Sequence, residues 1–249
     1  METTGRIYHV PALYGDVLNQ AHTLIAGQTG SGKSVFLQGV ITSAMKRGGN
    51  QFIFCDPKRV ELRTYKRLPN CIAYANTSEE TVRALARAID IMEARYEEAE
   101  RLGIKKYTDC PIYVIIDELA DLLISADAKQ IKKQLQTLTA LGRAANVHCI
   151  VATQQPSRKM LPAELTLNFP ARVALHCQTA IESRQVINVK GAEELPMYGE
   201  CLYLRPGHDL EKRSVPLTDE AETEQIIKDI LSDFPEEKPS VLRFFRKGA

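Results

Sequence analysis

Residues 27–34 read Gly-Gln-Thr-Gly-Ser-Gly-Lys-Ser and satisfy the pattern G-x-x-x-x-G-K-[ST], directly after an apolar run at 23–26 and before a helical run at 35–45. Few short patterns constrain a fold so strongly, because this one works as a turn between a buried strand and a helix. The glycines let the main chain wrap closely, so that its N–H groups and the helix N-terminus face an anion. Gly27, Gln28, Thr29, Gly30, Ser31, Gly32, Lys33, Ser34 and Val35 are the expected nucleotide-binding residues. Lys33 is positioned to reach the β- and γ-phosphates of ATP, and the Ser34 hydroxyl to ligate Mg²⁺.

Strand-length apolar runs alternate with longer stretches of helical period along the whole chain, which predicts an α/β fold with a mainly parallel central sheet and helical crossovers. The runs are 23–26, 51–55, 71–75, 112–116, 147–152, 172–176 and 201–204, enough for one large sheet. Between the third and fourth, Thr77-Ser-Glu-Glu80 has the spacing of a capping box, and Val82, Leu85, Ala86, Ile89 and Met92 follow at helical spacing until Gly103. Further helices are expected at 127–143, where Ile131, Leu135, Leu138 and Leu141 share a face, and at 219–233. The 249 residues divide into one large domain, 1–217, and an acidic helix with a basic tail, 218–249. Arg243, Arg246 and Lys247 beside Phe244 and Phe245 make that tail either a solvated end or a segment that docks on a neighbouring subunit or nucleic acid.

Composition narrows the class. Lys and Arg number 32 against 31 Asp and Glu, so the chain lacks the basic excess of a protein that coats nucleic acid, which leaves room only for a local basic patch. With 44% hydrophobic and 25% charged residues, disordered, collagen-like and coiled-coil classes are excluded. The six cysteines are dispersed without any C-x-x-C pairing and read as reduced thiols of a cytoplasmic protein. No run approaches the roughly 18 apolar residues of a membrane helix, and the N-terminus lacks a signal-peptide pattern, so direct membrane insertion is not expected.

The second chemical motif is Ile112-Tyr-Val-Ile-Ile-Asp-Glu118, an apolar strand that delivers two consecutive carboxylates at its end. Asp117 is the expected ligand in the Mg²⁺ shell, and Glu118 the residue that polarises a water for attack on the γ-phosphate. Such a pair favours ATP hydrolysis over transfer to a bound hydroxyl. After the strand at 147–152, Gln154 in Ala152-Thr-Gln-Gln-Pro-Ser157 is the candidate sensor of the γ-phosphate or its water. Arg143, in Gly142-Arg-Ala-Ala-Asn146, either caps its own helix or reaches into a neighbour's nucleotide site, with Arg184 as a rival. Two basic clusters, one of Lys58, Arg59, Arg63, Lys66 and Arg67 and one of Arg158 and Lys159, either form a solvated surface or contact nucleic-acid phosphates. His22, His148 and His176 lack metal-ligand spacing and are expected in the core or at strand ends.

Taken together, these segments resemble the FtsK/SpoIIIE family of DNA-pumping ATPases. The similarity runs from about residue 22 to 207 and takes in the nucleotide loop, Asp56-Pro-Lys-Arg-Val-Glu-Leu62, Met92-Glu-Ala-Arg-Tyr96, Ile115-Ile-Asp-Glu-Leu-Ala-Asp-Leu122, Gly142-Arg-Ala-Ala145, the Gln154 loop, Phe169-Pro-Ala-Arg-Val-Ala174, Glu182-Ser-Arg184, Gly191-Ala-Glu193 and Leu202-Tyr-Leu-Arg-Pro-Gly207. The resemblance implies a RecA-like P-loop motor domain with helices on both faces of its sheet, a homo-oligomeric, hexameric ring, double-stranded DNA in the pore and ATP sites between subunits. On that basis the catalytic set is Glu118, Lys33, Gln154 and Arg143, with Arg143 acting between subunits, and Lys58, Arg59, Arg158 and Lys159 are the candidate nucleic-acid contacts.

The sequence departs from the family pattern in two places. Gln155 stands where members usually carry arginine, and Leu195-Pro-Met-Tyr-Gly-Glu200 replaces the usual Leu-Leu-Gly-x-Gly-Asp. With little room for a domain before the motor core and no winged-helix reader after it, a compact member fits a plasmid, phage or conjugative element, with a membrane-bound or relaxase-type partner. Two other functions compete with DNA translocation: a secretion-type ATPase that moves protein, and an ATP-gated adaptor in conjugation with negligible turnover.

Overall fold

The computed structural model describes residues 8–157 and 161–233. The strands are β1 (His22–Ala26), β2 (Gln51–Cys55), β3 (Cys71–Ala75), β4 (Ile112–Ile116), β5 (Val147–Thr153), β6 (Ala171–Ala174), β7 (Glu200–Leu204) and β8 (Glu211–Ser214). The helices are α1 (Ala12–Leu18), α2 (Lys33–Arg47), α3 (Ser78–Leu102), α4 (Leu119–Leu123), α5 (Ala128–Leu141), α6 (Ala163–Thr166), α7 (Ala180–Ile187) and α8 (Glu220–Ser232). The strands form one sheet in the order β3-β2-β4-β5-β1-β6-β7-β8. It is parallel from β3 to β6, and β7 and β8 add on antiparallel. All seven expected strands are present, and β8 is additional.

Alternation along the strands sorts the core onto two faces. Ile25, Phe52, Phe54, Tyr113, Ile115, Ile150 and Ala152 meet α1, α2 and α8 on one face. Leu24, Ile53, Ile112, Val114, Ile116, Cys149 and Val151 meet α3, α4 and α5 on the other. Period-two alternation between two helix layers is the pattern of a doubly covered parallel sheet. The α8 helix is part of this core rather than an appendage to it. Its Ile226 and Ile227 are buried with the α2 residues, and Thr223 bonds Thr42 at 3.0 Å. The basic tail expected at the C-terminus lies outside the described residues, among which no helix is long and apolar enough to cross a membrane.

Helix ends follow the sequence signals with one shift. Thr77 caps α3 by accepting from the Glu80 N–H at 3.2 Å, but the Glu80 carboxylate reaches the N–H of Asn76 at 2.8 Å instead of closing the reciprocal bond on Thr77. Two buried arginines fasten loops to the sheet. Arg95 of α3 donates to the carbonyls of Ala145, Asn146 and Cys110, and Arg172 of β6 to those of Phe169, Val186 and Thr166. Each satisfies carbonyls that would otherwise be costly to bury.

The histidines behave as core residues. His148 Nδ1 lies 3.0 Å from the Gln20 and Ala21 carbonyls, and His176 Nδ1 lies 2.6 Å from that of Leu195. His22 Nδ1 accepts the Cys149 N–H at 3.0 Å. Burial, with His148 beside it, lowers the His22 pKa from 6.5 to about 3. The unfolded chain therefore binds the extra proton between those values, and stability should fall as pH drops through that window by at most about 1.4 kcal/mol per unit. A His22→Asn variant keeps an acceptor for Cys149 and removes the titration. Urea unfolding at about pH 7 and about pH 5 should show a smaller loss for the variant than for the parent.

Candidate nucleotide site

The site is built at the carboxyl ends of β1, β4 and β5, which lie side by side. After Ala26 the chain leaves the sheet, with the Gln28 N–H donating to the His176 carbonyl at 2.9 Å. Gly30 and Gly32 then take φ of +82° and +84°, conformations that a Cβ resists. These two residues turn the main chain around a concavity, and the Phe36 N–H on the Gly32 carbonyl at 2.9 Å starts α2. Inside the turn the Ser31 hydroxyl is buried and has no hydrogen-bond partner among the described residues. A glycine-bent loop at a helix N-terminus, with an orphaned hydroxyl, fits a polyphosphate.

Lys33, the first residue of α2, turns back towards β4. Its Nζ lies 2.8 Å from both the carbonyl and Oδ1 of Asp117, and both side chains are almost fully buried. Asp117 and Ser34, the residue after Lys33, carry the hard oxygen donors that Mg²⁺ prefers.

Glu118 is 1% exposed and densely held. Its Oε1 accepts from the Thr153 hydroxyl at 2.8 Å, the Gln154 N–H at 3.1 Å and the Ala120 N–H at 3.3 Å. Its Oε2 lies 3.2 Å from Lys58 Nζ. The Gln154 side chain turns the other way and accepts from the Thr29 hydroxyl at 3.0 Å. Gln154 thus joins the phosphate loop to the carboxylate, one contact through its side chain and one through its backbone.

The structure brings Lys33, Asp117, Glu118, Gln154 and the 27–35 loop together. Lys58, expected on nucleic acid, is at this same site against Glu118. Arg59 is exposed and left-handed at φ 62°, with Nε 3.5 Å from the Asn76 carbonyl. In the rest of that cluster, Arg67 pairs with Glu224 of α8, and Lys66 lies over the Tyr74 ring. Arg143 is exposed in the turn before β5, at the end of that strand opposite Gln154. Seven residues of strand span about 20 Å, so Arg143 does not join the site of its own chain. Arg184 is exposed on α7, and Arg158 and Lys159 lie outside the described residues.

Two contributors were not legible as site residues. Thr153 holds Glu118, and the sequence showed it only as the residue that follows the 147–152 run. Asp56, fully buried, accepts from the Val60 and Leu62 N–H groups and the Tyr74 hydroxyl. It shapes the loop that brings Lys58 to Glu118. The Asp-Pro-Lys sequence was the available signal.

Comparison with known proteins places the chain in context. The model of the FtsK/SpoIIIE family matches residues 7–110 and 106–158. The chain is 35% identical over 211 residues to the DNA translocase FtsK of Lactococcus lactis subsp. cremoris, covering 76% of this chain and 28% of that protein. It is 33% identical over 226 residues to the DNA translocase SpoIIIE of Bacillus subtilis, covering 82% of this chain and 29% of that one. The chain therefore spans less than a third of the length of these relatives. Among solved structures it superposes on the pCW3 conjugation coupling protein TcpA, monomer form with ATPgS, with TM-score 0.73 and 23% identity over 86% of this chain and 66% of the other. It also resembles the cytoplasmic domain of the Thermomonospora curvata type VII secretion ATPase EccC, with TM-score 0.69 and 21% identity over 84% of this chain and 28% of the other. These likenesses show a P-loop ATPase fold.

Glu118→Gln preserves a hydrogen-bonding side chain but removes the carboxylate charge. It should retain nucleotide binding and lose turnover by about 10²-fold or more, measured as phosphate release beside equilibrium nucleotide binding. Lys33→Ala should lose both.

Proposed function

The chain belongs to the FtsK/SpoIIIE family, and from that premise we propose that it is an ATP-hydrolysing motor that moves double-stranded DNA, working in the cytoplasm as a ring of identical subunits, a hexamer in the simplest case. The observation that carries the proposal is the convergence of Lys33, Asp117, Glu118 and Gln154 beside a phosphate-binding turn.

In this reading the 27–35 loop binds the triphosphate and Lys33 neutralises its terminal oxygens. Ser34 and Asp117 hold Mg²⁺, which supplies charge stabilisation to the β- and γ-phosphates. Glu118 takes a proton from the attacking water, and Gln154 orients that water while reporting the occupancy of the loop to residues 155–157. The relatives named as DNA translocases support duplex DNA as the substrate, and they outweigh the secretion ATPase, to which the likeness is one of fold.

The placement of the positive charges supports the ring. An isolated chain brings Lys33 and Lys58 to its own site, and Arg143 is held at the far end of the sheet. Its turn is rigid: Arg95 grips the Ala145 and Asn146 carbonyls, Tyr96 donates to the Leu141 carbonyl at 2.6 Å, and Asn146 donates to Thr108. A rigidly presented, exposed arginine suits a finger inserted into the nucleotide site of the next copy, where such a residue is worth about 10³-fold or more in rate.

Steady-state ATP hydrolysis should rise severalfold with long linear duplex DNA and vanish in Lys33→Ala. Hydrolysis indifferent to duplex would overturn the DNA reading in favour of a protein-moving ATPase, and no hydrolysis with bound nucleotide would favour an adaptor. Mixing Arg143→Ala with the parent should depress activity more steeply than its mole fraction. A linear decline would count against action between subunits.

A further inference from the structure

Beside the phosphate loop the chain leaves two large apolar side chains in solvent, Tyr198 at 73% exposure and Leu217 at 92%. Single exposed apolar residues are ordinary, but these two border one cleft. Its volume is about 600 Å³, and residues 30–35, Gln28, Gln154, Leu175, Gly199 and Val215 also line it. That volume falls in the range of pockets that hold small ligands, roughly 300–1,000 Å³.

The turn that carries Tyr198 rides on the loop itself. A Cβ added to Gly32 would stand 3.7 Å from Tyr198 Cβ, and one added to Gly30 would stand 3.6 Å from Met197 Cε. Gln28 donates to Met197 Sδ at 3.0 Å. The Val215 N–H donates to the Gly199 carbonyl at 2.9 Å, which ties the turn to the segment bearing Leu217. That segment is anchored in turn by the Tyr14 hydroxyl on the Pro216 carbonyl at 2.6 Å. Both apolar side chains are thus exposed on backbone fixed to the phosphate loop and to the core.

We infer that Tyr198 and Leu217 form the seat for the base and ribose of the nucleotide whose phosphates occupy the 27–35 loop, with the phenol ring stacking on the base. The inference rests on the nucleotide reading of that loop and goes further by assigning the remainder of the ligand. The cleft is continuous with the loop, so a nucleoside attached to bound phosphates leads into it. An aromatic face and an aliphatic side chain suit a flat heterocycle, and stacking of this kind tolerates any base because each has a π-face. In the same cleft Gln28 Nε2 donates to Met197 Sδ and Gln154 Oε1 accepts from the Thr29 hydroxyl. Because stacking carries the seat, ATP and GTP should bind within about tenfold of one another.

The test is calorimetric titration of the full chain with ATP, GTP and inorganic tripolyphosphate. Tyr198→Ala and Leu217→Ala should weaken ATP by about tenfold and leave tripolyphosphate within about twofold. Tyr198→Phe, which keeps the ring, should restore ATP binding. Because both residues are exposed, neither change removes core packing. Parent protein that binds tripolyphosphate as tightly as ATP would overturn the base seat and leave the phosphate-loop reading intact, whereas binding neither would overturn both. Unchanged ATP affinity in both alanine variants, with a shift in oligomeric state, would reassign these side chains to a contact between subunits.

Discussion

Two neighbouring carboxylates buried at the end of one strand are expensive, and much of the site exists to satisfy them. Removing a charge from water costs several kcal/mol per ion unless partners replace the lost hydration. Asp117 meets this cost through Lys33, and Glu118 through Lys58, Thr153 and two backbone N–H groups. The partners come from α2, the loop after β2, the end of β5 and the start of α4, so neutralising the pair fixes four segments at once. The register of the sheet makes this possible. Ile116 pairs with Val151, and two residues further along each strand Glu118 stands beside Thr153.

The strand order explains why these segments meet where the phosphate loop lies. β1 sits between β5 and β6, while its crossover through α2 carries the chain beyond β5 and β4 to β2. Connections leave β1 in opposite directions from those of its neighbour β6, which opens a crevice at its carboxyl end. On one side of that crevice are the carboxylates that follow β4 and Gln154, which follows β5. On the other are the Met197–Gly199 turn and the segment after β8, which come from the antiparallel addition to the sheet. The parallel part thus supplies the charged chemistry, and the antiparallel part supplies the apolar wall.

What the sequence revealed and what it concealed follow the same physics. The parallel strands were legible because burial on both faces demands continuous apolar runs such as Ile112–Ile116. β8, Glu211-Lys-Arg-Ser214, has no such run, since it is an edge strand that pairs only with β7. Ion pairs hold it instead: Arg213 and Arg205 to Glu211, and Lys212 to Glu200. α1 is short and starts after Pro11, so too few turns exist to display a period. The phosphate loop and the Asp-Glu pair were legible because their chemistry is local in sequence. Lys58 was not, because a cluster of basic residues shows charge without showing where one ammonium points. The Asp56 bonds that shape its loop bring its ammonium to Glu118, while the side chain stays 34% exposed.

The arrangement also separates two tasks along a single strand. At its carboxyl end β5 delivers Thr153 and Gln154 to the Glu118 carboxylate, and Gln154 leads directly into Gln155-Pro-Ser157. Any displacement of that exit segment is transmitted to Glu118 through the Gln154 N–H and to the phosphate loop through its amide. At its amino end the same strand begins in the turn of Arg143, which Arg95 and Tyr96 clamp to α3. The strand between them is hydrogen-bonded on both sides, to β4 and β1, and does not stretch. If Arg143 acts between subunits as proposed, a subunit has a stiff connection from that contact to its own Glu118 carboxylate. A ring of the proposed kind could then order hydrolysis around its circumference without a separate signalling element, because each β5 would carry the Gln154 of one site and support the Arg143 offered to the next.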